Sequence, residues 1–190
     1  MIQKVKRFLV VILIKIIYHW GCIWYDKQYL VGRHFDRKHF SKGWGWILKY
    51  WFGQKVMKKN AEVPFPIPPY VLVANPKNVI FDPDDMQNFH TVGTYFQALG
   101  GQIIIGKGTY VAAGVGIITA NHDLNDLSRN IAGGDTIIGR NSWIGMNAVI
   151  LPGVCLGEHT IVGAGAIVTK SFPEGNCVIA GNPAKIIRTI

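Results

Sequence analysis

Residues 138–173 read IGRNSW IGMNAV ILPGVC LGEHTI VGAGAI VTKSFP when they are divided into groups of six. Residues 105–122, IGKGTY VAAGVG IITANH, repeat the spacing, and every group begins with Ile, Leu or Val. The second position is Gly in five of these nine groups, and the fifth is small or β-branched in seven. A period of six fits neither an α-helix nor an alternating strand. It predicts one short strand and one turn per group, so that three groups complete one turn of a parallel coil.

The repeat breaks at one place. Ile117 and Ile138 are 21 residues apart, which is not a multiple of six, and residues 123–137 form an excursion between them. Asn121 and His122 therefore stand where a loop leaves the coil. Loops held by rigid scaffolds commonly carry catalytic residues, so His122 is a candidate for chemistry.

The string ITANHDLND at 118–126, its loop and the repeats that follow resemble the hexapeptide-repeat acyltransferases, notably galactoside and maltose acetyltransferases and exopolysaccharide O-acetyltransferases. The resemblance runs from about residue 71 to residue 190. It implies an all-β solenoid, a left-handed parallel β-helix, and the residues before it are expected to add an N-terminal helical, basic and aromatic appendage. It also implies acetyl-CoA as co-substrate, no metal, and a homotrimer in which CoA lies between two chains.

The same resemblance assigns roles to individual residues. His122 is expected to act as the general base on the acceptor hydroxyl, with Asn121 beside it and Asp123 able to orient it. The family's serine that stabilises the oxyanion falls on Met146, so only backbone could act there. Further positions expected to contact CoA are Trp143, Ala164, Thr169, Lys170, Lys185 and Arg188.

The acceptor side matches the family less well. An asparagine that assists the histidine in galactoside acetyltransferase falls on Val92 in this chain. Thr94 or Gln97 is the expected substitute. The acceptor is expected to be a sugar hydroxyl of a surface polysaccharide or a lipid-linked glycan, and a small soluble acceptor such as serine or a xenobiotic is the alternative.

The N-terminal part of the chain differs from the rest in charge. Residues 1–59 hold thirteen Lys and Arg against Asp26 and Asp36, a net charge of +11, whereas the remainder has a net charge of −2. Trp and Phe residues are interspersed with these cations, a pattern typical of interfacial membrane segments. We expect residues 1–60 to be a helical segment that associates with an anionic membrane surface. Residues 61–190, which include the proline-rich stretch PFPIPP at 64–69, are expected to be the β-helix domain.

The length of the apolar run predicts association with the membrane surface and not a span. Residues 8–24 would form a helix of about 25 Å, shorter than the roughly 30 Å hydrocarbon core. The expected location is therefore cytoplasmic, peripheral or monotopic at the inner face of the cell membrane. A helical element that packs on the body of the protein is the alternative, and no recognised nucleic-acid-binding module is visible.

Two alternatives to acyl transfer are a related metal enzyme and a non-catalytic protein. A γ-type carbonic anhydrase shares the fold and binds zinc through three histidines, but no H-x-x-x-x-H spacing surrounds His122. The three cysteines are widely spaced and form no C-x-x-C motif, so a metal site is not expected. A non-catalytic β-helix used as a scaffold is the second alternative, which the NHD string at 121–123 and the tail AGNPAKIIR argue against.

Overall fold

The computed structural model describes residues 2–190, which divide into two compact units. The first ends at Pro69 and the second is Tyr70–Ile190. Residues 61–69, which the sequence assigns to the β-helix domain, thus belong to the first unit. Buried Gln54 accounts for this, because its amide nitrogen donates hydrogen bonds to the carbonyls of Val63 and Phe65, each at 3.0 Å.

The first unit is helical, as expected. Its helices are α1 (Ile2–Trp24) and α2 (Lys42–Trp51), and α2 continues into a π-helical turn at Phe52–Val56. Short 3-10 turns occupy Lys27–Tyr29 and Gly32–His34. Trp44 and Ile47 of α2 are fully buried in the core of this unit.

Helix α1 is longer than the apolar run predicted. Its 23 residues extend about 35 Å, and Gln3–Trp24 is long and apolar enough to cross a membrane, with 17% of its most apolar window buried. The expectation of a helix too short to span the hydrocarbon core is therefore wrong, because the basic residues before Phe8 are also helical. Length and composition alone do not separate a span from an interfacial helix.

The second unit consists of short strands connected by tight turns. In chain order they are β1 (Leu72–Ala74), β2 (Val79–Phe81), β3 (Tyr95–Gln97), β4 (Ile103–Ile105), β5 (Tyr110–Val111), β6 (Gly116–Ile118), β7 (Ala120–His122), β8 (Asn130–Ala132), β9 (Thr136–Ile138), β10 (Trp143–Ile144), β11 (Val149–Ile150), β12 (Cys155–Leu156), β13 (Thr160–Val162), β14 (Ile167–Val168), β15 (Cys177–Gly181) and β16 (Ala184–Thr189). Between β2 and β3 lies a 3-10 segment, Pro83–His90.

The strands form three parallel sheets that the chain visits in rotation. Sheet A has the order β1-β3-β6-β11-β14, sheet B the order β12-β9-β4-β2, and sheet C the order β16-β15-β13-β10-β5. From β9 to β14 the chain passes through B, C, A, B, C and A, so three strands make one turn of the coil. Strand β16 is antiparallel to β15, and the hairpin β7–β8 lies outside the three sheets. The 3-10 segment takes the place of a sheet-C strand between β2 and β3, and a bridge from Phe172 to Leu156 takes the place of a sheet-B strand between β14 and β15.

The six-residue repeat sets the core of the coil. The nine apolar residues that open the groups are all buried, namely Ile105, Val111, Ile117, Ile138, Ile144, Ile150, Leu156, Val162 and Val168. The small fifth-position residues, such as Thr109, Ala148 and Thr160, are buried as well. Inward side chains stack in register, as in Ile117 opposite Phe96 and Ile150. The prediction of short parallel strands separated by turns is confirmed.

Glycine in the second position allows successive turns to approach closely. A Cβ on Gly139 would lie 2.3 Å from the carbonyl carbon of Gly157, and one on Gly157 would lie 2.2 Å from the Pro173 oxygen. The left-handed backbone conformation occurs instead at the fourth position, for example at Asn141 and His159, where φ is 54° in each. Asn and Gly adopt this conformation at low cost, which explains their frequency there.

Candidate active site

The excursion in the repeat is an antiparallel hairpin. Strands β7 and β8 leave the coil between β6 of sheet A and β9 of sheet B, with Ala120 opposite Ala132 and His122 opposite Asn130. We call this edge of the coil the A/B edge. The hairpin carries Asn121 and His122 away from the coil, and both side chains are exposed.

The ring of His122 is oriented by the backbone of its own hairpin. Its Nδ1 lies 2.8 Å from the carbonyl oxygen of Leu127. A carbonyl oxygen can only accept, so this bond requires the proton on Nδ1 and leaves the lone pair on Nε2. A neutral imidazole in this tautomer can take a proton from a hydroxyl group.

The turn that presents Leu127 is held by two carboxylates. Asp123 Oδ1 accepts the N–H of Asn125 at 2.8 Å, and Asp126 Oδ1 accepts the N–H and the hydroxyl of Ser128 at 3.1 and 2.6 Å. The bonds from Ser128 hold the pKa of Asp126 below its usual value. Asp123, which was predicted to orient His122, therefore shapes the loop, and the Leu127 carbonyl bonds to the ring instead.

Gln97 fixes the base of the hairpin. Its Oε1 accepts the N–H groups of Thr119 and Ala120, at 3.2 and 3.1 Å, immediately before Asn121 and His122. Thr94 is buried and donates its hydroxyl to the Thr91 carbonyl at 2.9 Å. Both residues, predicted on the acceptor side, thus make structural bonds, and Gln97 positions β7.

A second group of predicted residues lies on sheet C and on the corner that follows it. Trp143 in β10 stands on the outer face of sheet C, 54% exposed, between Tyr110 and Ile161 of the neighbouring strands. Met146 and Ala164 occupy successive turns at the corner between sheets C and A, which we call the C/A edge, and both are exposed.

The backbone at the C/A edge offers hydrogen-bond donors. The carbonyl of Met146 accepts the N–H of Gly165 at 2.8 Å, which ties the two turns together. Within residues 2–190, the N–H groups of Met146 and Ala164 take no part in the bonds between turns. Backbone N–H groups without such bonds are the kind of donor that can bind a carbonyl oxygen or an oxyanion.

The other residues predicted to contact CoA lie in two regions, the A/B edge and strand β16. Thr169 and Lys170 are exposed on the A/B edge, where Lys170 Nζ lies 5.6 Å from the ring centroid of Phe172. Lys185 and Arg188 are exposed in β16, opposite Ala180 and Val178. Strand β16 lies three strands from β10, about 14 Å at the usual strand spacing.

The structure therefore separates the predicted site residues into two groups within one chain. His122, Thr169 and Lys170 lie on the A/B edge, whereas Trp143, Met146 and Ala164 lie on sheet C and the C/A edge. No hydrogen bond or ring contact connects the groups within residues 2–190. In the same described range, no group of three or more His, Cys, Asp or Glu side chains could hold a metal ion.

Comparison with known proteins identifies what this unit is similar to. Residues 135–170 match the bacterial transferase hexapeptide family model of six repeats. A Saccharomyces cerevisiae protein named as a candidate acetyltransferase is 41% identical over 95 residues, 48% of this chain and 47% of that protein. These matches confirm the predicted resemblance. The chain spans about half the length of the curated relatives it matches.

Solved structures agree with the sequence match. A hexapeptide-repeat acetyltransferase from Vibrio cholerae, complexed with acetyl coenzyme A, aligns with a TM-score of 0.53 and 27% identity over 64% of this chain and 65% of that chain. A maltose O-acetyltransferase from Clostridium difficile aligns with a TM-score of 0.49 and 32% identity over 63% of this chain and 66% of that one. The relatives are acetyltransferases, and the first of these structures holds acetyl-CoA.

Proposed function

We propose that this chain, which carries the bacterial transferase hexapeptide repeat at residues 135–170, is an O-acetyltransferase that moves an acetyl group from acetyl-CoA to a sugar hydroxyl. The observation that carries the proposal is the bond between His122 Nδ1 and the Leu127 carbonyl, which leaves Nε2 free to accept a proton. The coil is proposed to be the left-handed parallel β-helix of that family.

The reaction needs one base and one oxyanion site. His122 Nε2 takes the hydroxyl proton while the acceptor oxygen attacks the thioester carbonyl carbon. The resulting oxyanion accepts hydrogen bonds from backbone N–H groups such as those of Met146 and Ala164. When the carbon–sulfur bond breaks, the proton on His122 passes to the CoA sulfur, and the neutral imidazole is restored.

One chain does not supply a whole site, because the base and the oxyanion donors lie on different edges of the coil. We therefore propose a homotrimer in which His122 of one chain faces the C/A edge of the next. The hairpin supports this, because Leu124 is 92% exposed and Leu127 is 70% exposed. Exposed leucines on a projecting hairpin are typical of a surface that another subunit covers.

The N-terminal unit suggests where the acceptor is found. The net charge of +11 in residues 1–59 and the exposed apolar side chains of α1 favour association with an anionic membrane. We propose a peripheral or monotopic protein at the inner face of the cell membrane that acetylates a lipid-linked glycan or a growing surface polysaccharide. CoA would be bound through Trp143, Thr169, Lys170, Lys185 and Arg188.

The decisive experiment replaces His122. His122→Ala should lower kcat for acetyl transfer from acetyl-CoA to a sugar acceptor by about 10²–10⁴-fold without unfolding the coil, because only the proton acceptor is lost. His159→Asn is the matched control, since His159 is an exposed histidine of the same unit whose left-handed backbone Asn tolerates. Full activity of His122→Ala would exclude His122 as the base.

A further inference from the structure

Helix α1 has two apolar faces, and only one of them is used inside the first unit. Ile14, Ile17 and Gly21 recur at helical spacing and are buried. On the opposite face Leu9, Ile16 and other apolar residues are 58% and 61% exposed. A helix with one face packed and the other apolar and exposed is suited to lie at a membrane interface.

A cationic cavity lies on the flank between these faces. Its volume is about 310 Å³, and it is lined by Ile14, Lys15, Tyr18, His19 and Arg37. Lys15 is the one charged residue that interrupts the apolar run of residues 8–18. A cavity of this size is at the lower end of the range for small-ligand sites, which suits a compact anionic group.

The cations of this cavity are held in place by aromatic side chains. The guanidinium carbon of Arg37 lies 4.0 Å from the centroid of the Tyr18 ring, and Tyr18 packs edge-on against buried Trp44 at 6.3 Å. The indole N–H of Trp44 donates to the Asp36 carbonyl at 2.8 Å, which fixes the segment that carries Arg37. The histidine is fixed too, since His19 Nδ1 bonds to the Lys15 carbonyl at 2.7 Å.

No carboxylate neutralises these cations within residues 2–190. The unit's basic region, residues 1–59, contains two acidic side chains, and each has other partners. Asp26 accepts from the backbone N–H and the side-chain amide of Gln28, whereas Asp36 bonds to the N–H of Lys38 and the ring of His39. Lys15 and Arg37 form no ion pair in this part of the chain. The cavity therefore holds two uncompensated positive charges.

We propose that this cavity binds the phosphate group of a membrane lipid, so that the N-terminal unit recognises a phosphate headgroup and not only negative surface charge. Arg37 can donate two parallel hydrogen bonds to phosphate oxygens, and Lys15 supplies a compact charge. The exposed face of α1 would contact the acyl chains at the same time. The proposal rests on the proposed membrane association and adds a ligand class and a site to it.

Vesicle binding by the full-length protein tests this inference. Vesicles of digalactosyl diacylglycerol, a neutral lipid without phosphate, are prepared with phosphatidic acid or with oleate, matched in surface potential, and a third sample contains inorganic phosphate alone. The wild type should bind the phosphatidic acid vesicles about tenfold more tightly than the oleate vesicles. Lys15→Gln with Arg37→Gln should abolish this preference, whereas Lys15→Arg, which keeps both charges and leaves Arg37 in place, should keep it.

The matched control removes two charges elsewhere on the same helix. Lys4→Gln with Lys6→Gln should weaken binding to both kinds of vesicle equally and keep the preference for phosphatidic acid. Equal losses in both double variants, no preference in the wild type, or equally tight binding of inorganic phosphate would overturn the proposal. If the wild type bound no vesicles, the proposed membrane association would be wrong. The proposed acetyltransferase activity would still be tested independently, by acetyl transfer to a soluble sugar.

Discussion

Replacing Gly139 by alanine tests the close approach of successive turns. The added Cβ would lie 2.3–2.5 Å from Gly157 and Glu158 backbone atoms, where ordinary contact begins at 3.4 Å, so the turns would have to separate by about 1 Å. This strains the bond from the Gly139 N–H to the Leu156 carbonyl, which is 2.8 Å long. Overpacking costs roughly 1–3 kcal/mol and a weakened hydrogen bond about 1 kcal/mol, so we expect a loss of about 3 kcal/mol.

That loss can be measured as a melting temperature. For a unit of roughly 120 residues it corresponds to a decrease of about 10 °C, followed through the β-sheet component of circular dichroism. Gly116→Ala is the matched control, because its Cβ would lie 3.8 Å from the Val149 methyl groups, an ordinary contact. If Gly139→Ala melted within about 2 °C of Gly116→Ala, close approach would not be the reason for glycine in the repeat.

Two further predictions concern the active site. Chains with His122→Ala and chains with Trp143→Ala, each inactive alone, can be mixed to form hybrid trimers. If a site combines residues of two chains, one of the three sites in a hybrid trimer is intact, so activity should return to about a third of the wild-type value at most. No return of activity would place the whole site in one chain. Asp126→Ala should lower kcat at neutral pH more than Ser128→Ala, with KM for acetyl-CoA unchanged, because the turn that presents Leu127 loses its acceptor. The pKa of Asp126 is lowered in the folded protein. The carboxylate therefore stays ionised, and its bonds in the turn stay formed, until the pH falls through that lowered pKa. In the neutral range, the pH–rate profile of the wild type should accordingly show no step from Asp126.

The repeat made the core of the coil predictable from sequence. Each opening residue of a group must face inward because one strand and one turn use six residues, and all nine are buried. The place of the hairpin was predictable for the same reason, since 21 residues between Ile117 and Ile138 cannot continue the coil. The second position serves close approach, whereas positive φ occurs at the fourth, at residues such as Asn141.

The contacts of individual site residues were not predictable in this way. The partner of His122 is a main-chain carbonyl, and any residue at position 127 would supply one, so the sequence carries no signal for it. Gln97 was selected as an acceptor residue, yet its Oε1 bonds to backbone N–H groups one turn further along the coil. Contacts between turns depend on register between residues that are distant in sequence, such as Gln97 and Thr119, which are 22 positions apart, and a single sequence does not reveal that register.

The same uncertainty applied to the boundary between the units. Prolines at 64, 66, 68 and 69 indicated a joint but not the side to which the joint belongs. Gln54 decides this, because a buried amide must satisfy both its donors and its acceptor, and the backbone of residues 63–67 offers matching groups. In the sequence, Gln54 among apolar and basic residues of the helical region is the signal for this boundary.

The regularity of the coil also explains why the proposed site should require two chains. Inward positions must be apolar, second positions must be glycine where turns touch, and outward positions on the sheets, such as Trp143, face away from the axis. A side chain on one edge of such a coil cannot reach another edge of the same chain through this packed core. The hairpin is the element that projects from the coil at the A/B edge, and it carries His122 together with the exposed Leu124. A base on this hairpin can meet backbone donors on a C/A edge if a second copy of the chain presents that edge. Removing the hairpin should therefore abolish both acetyl transfer and trimer formation.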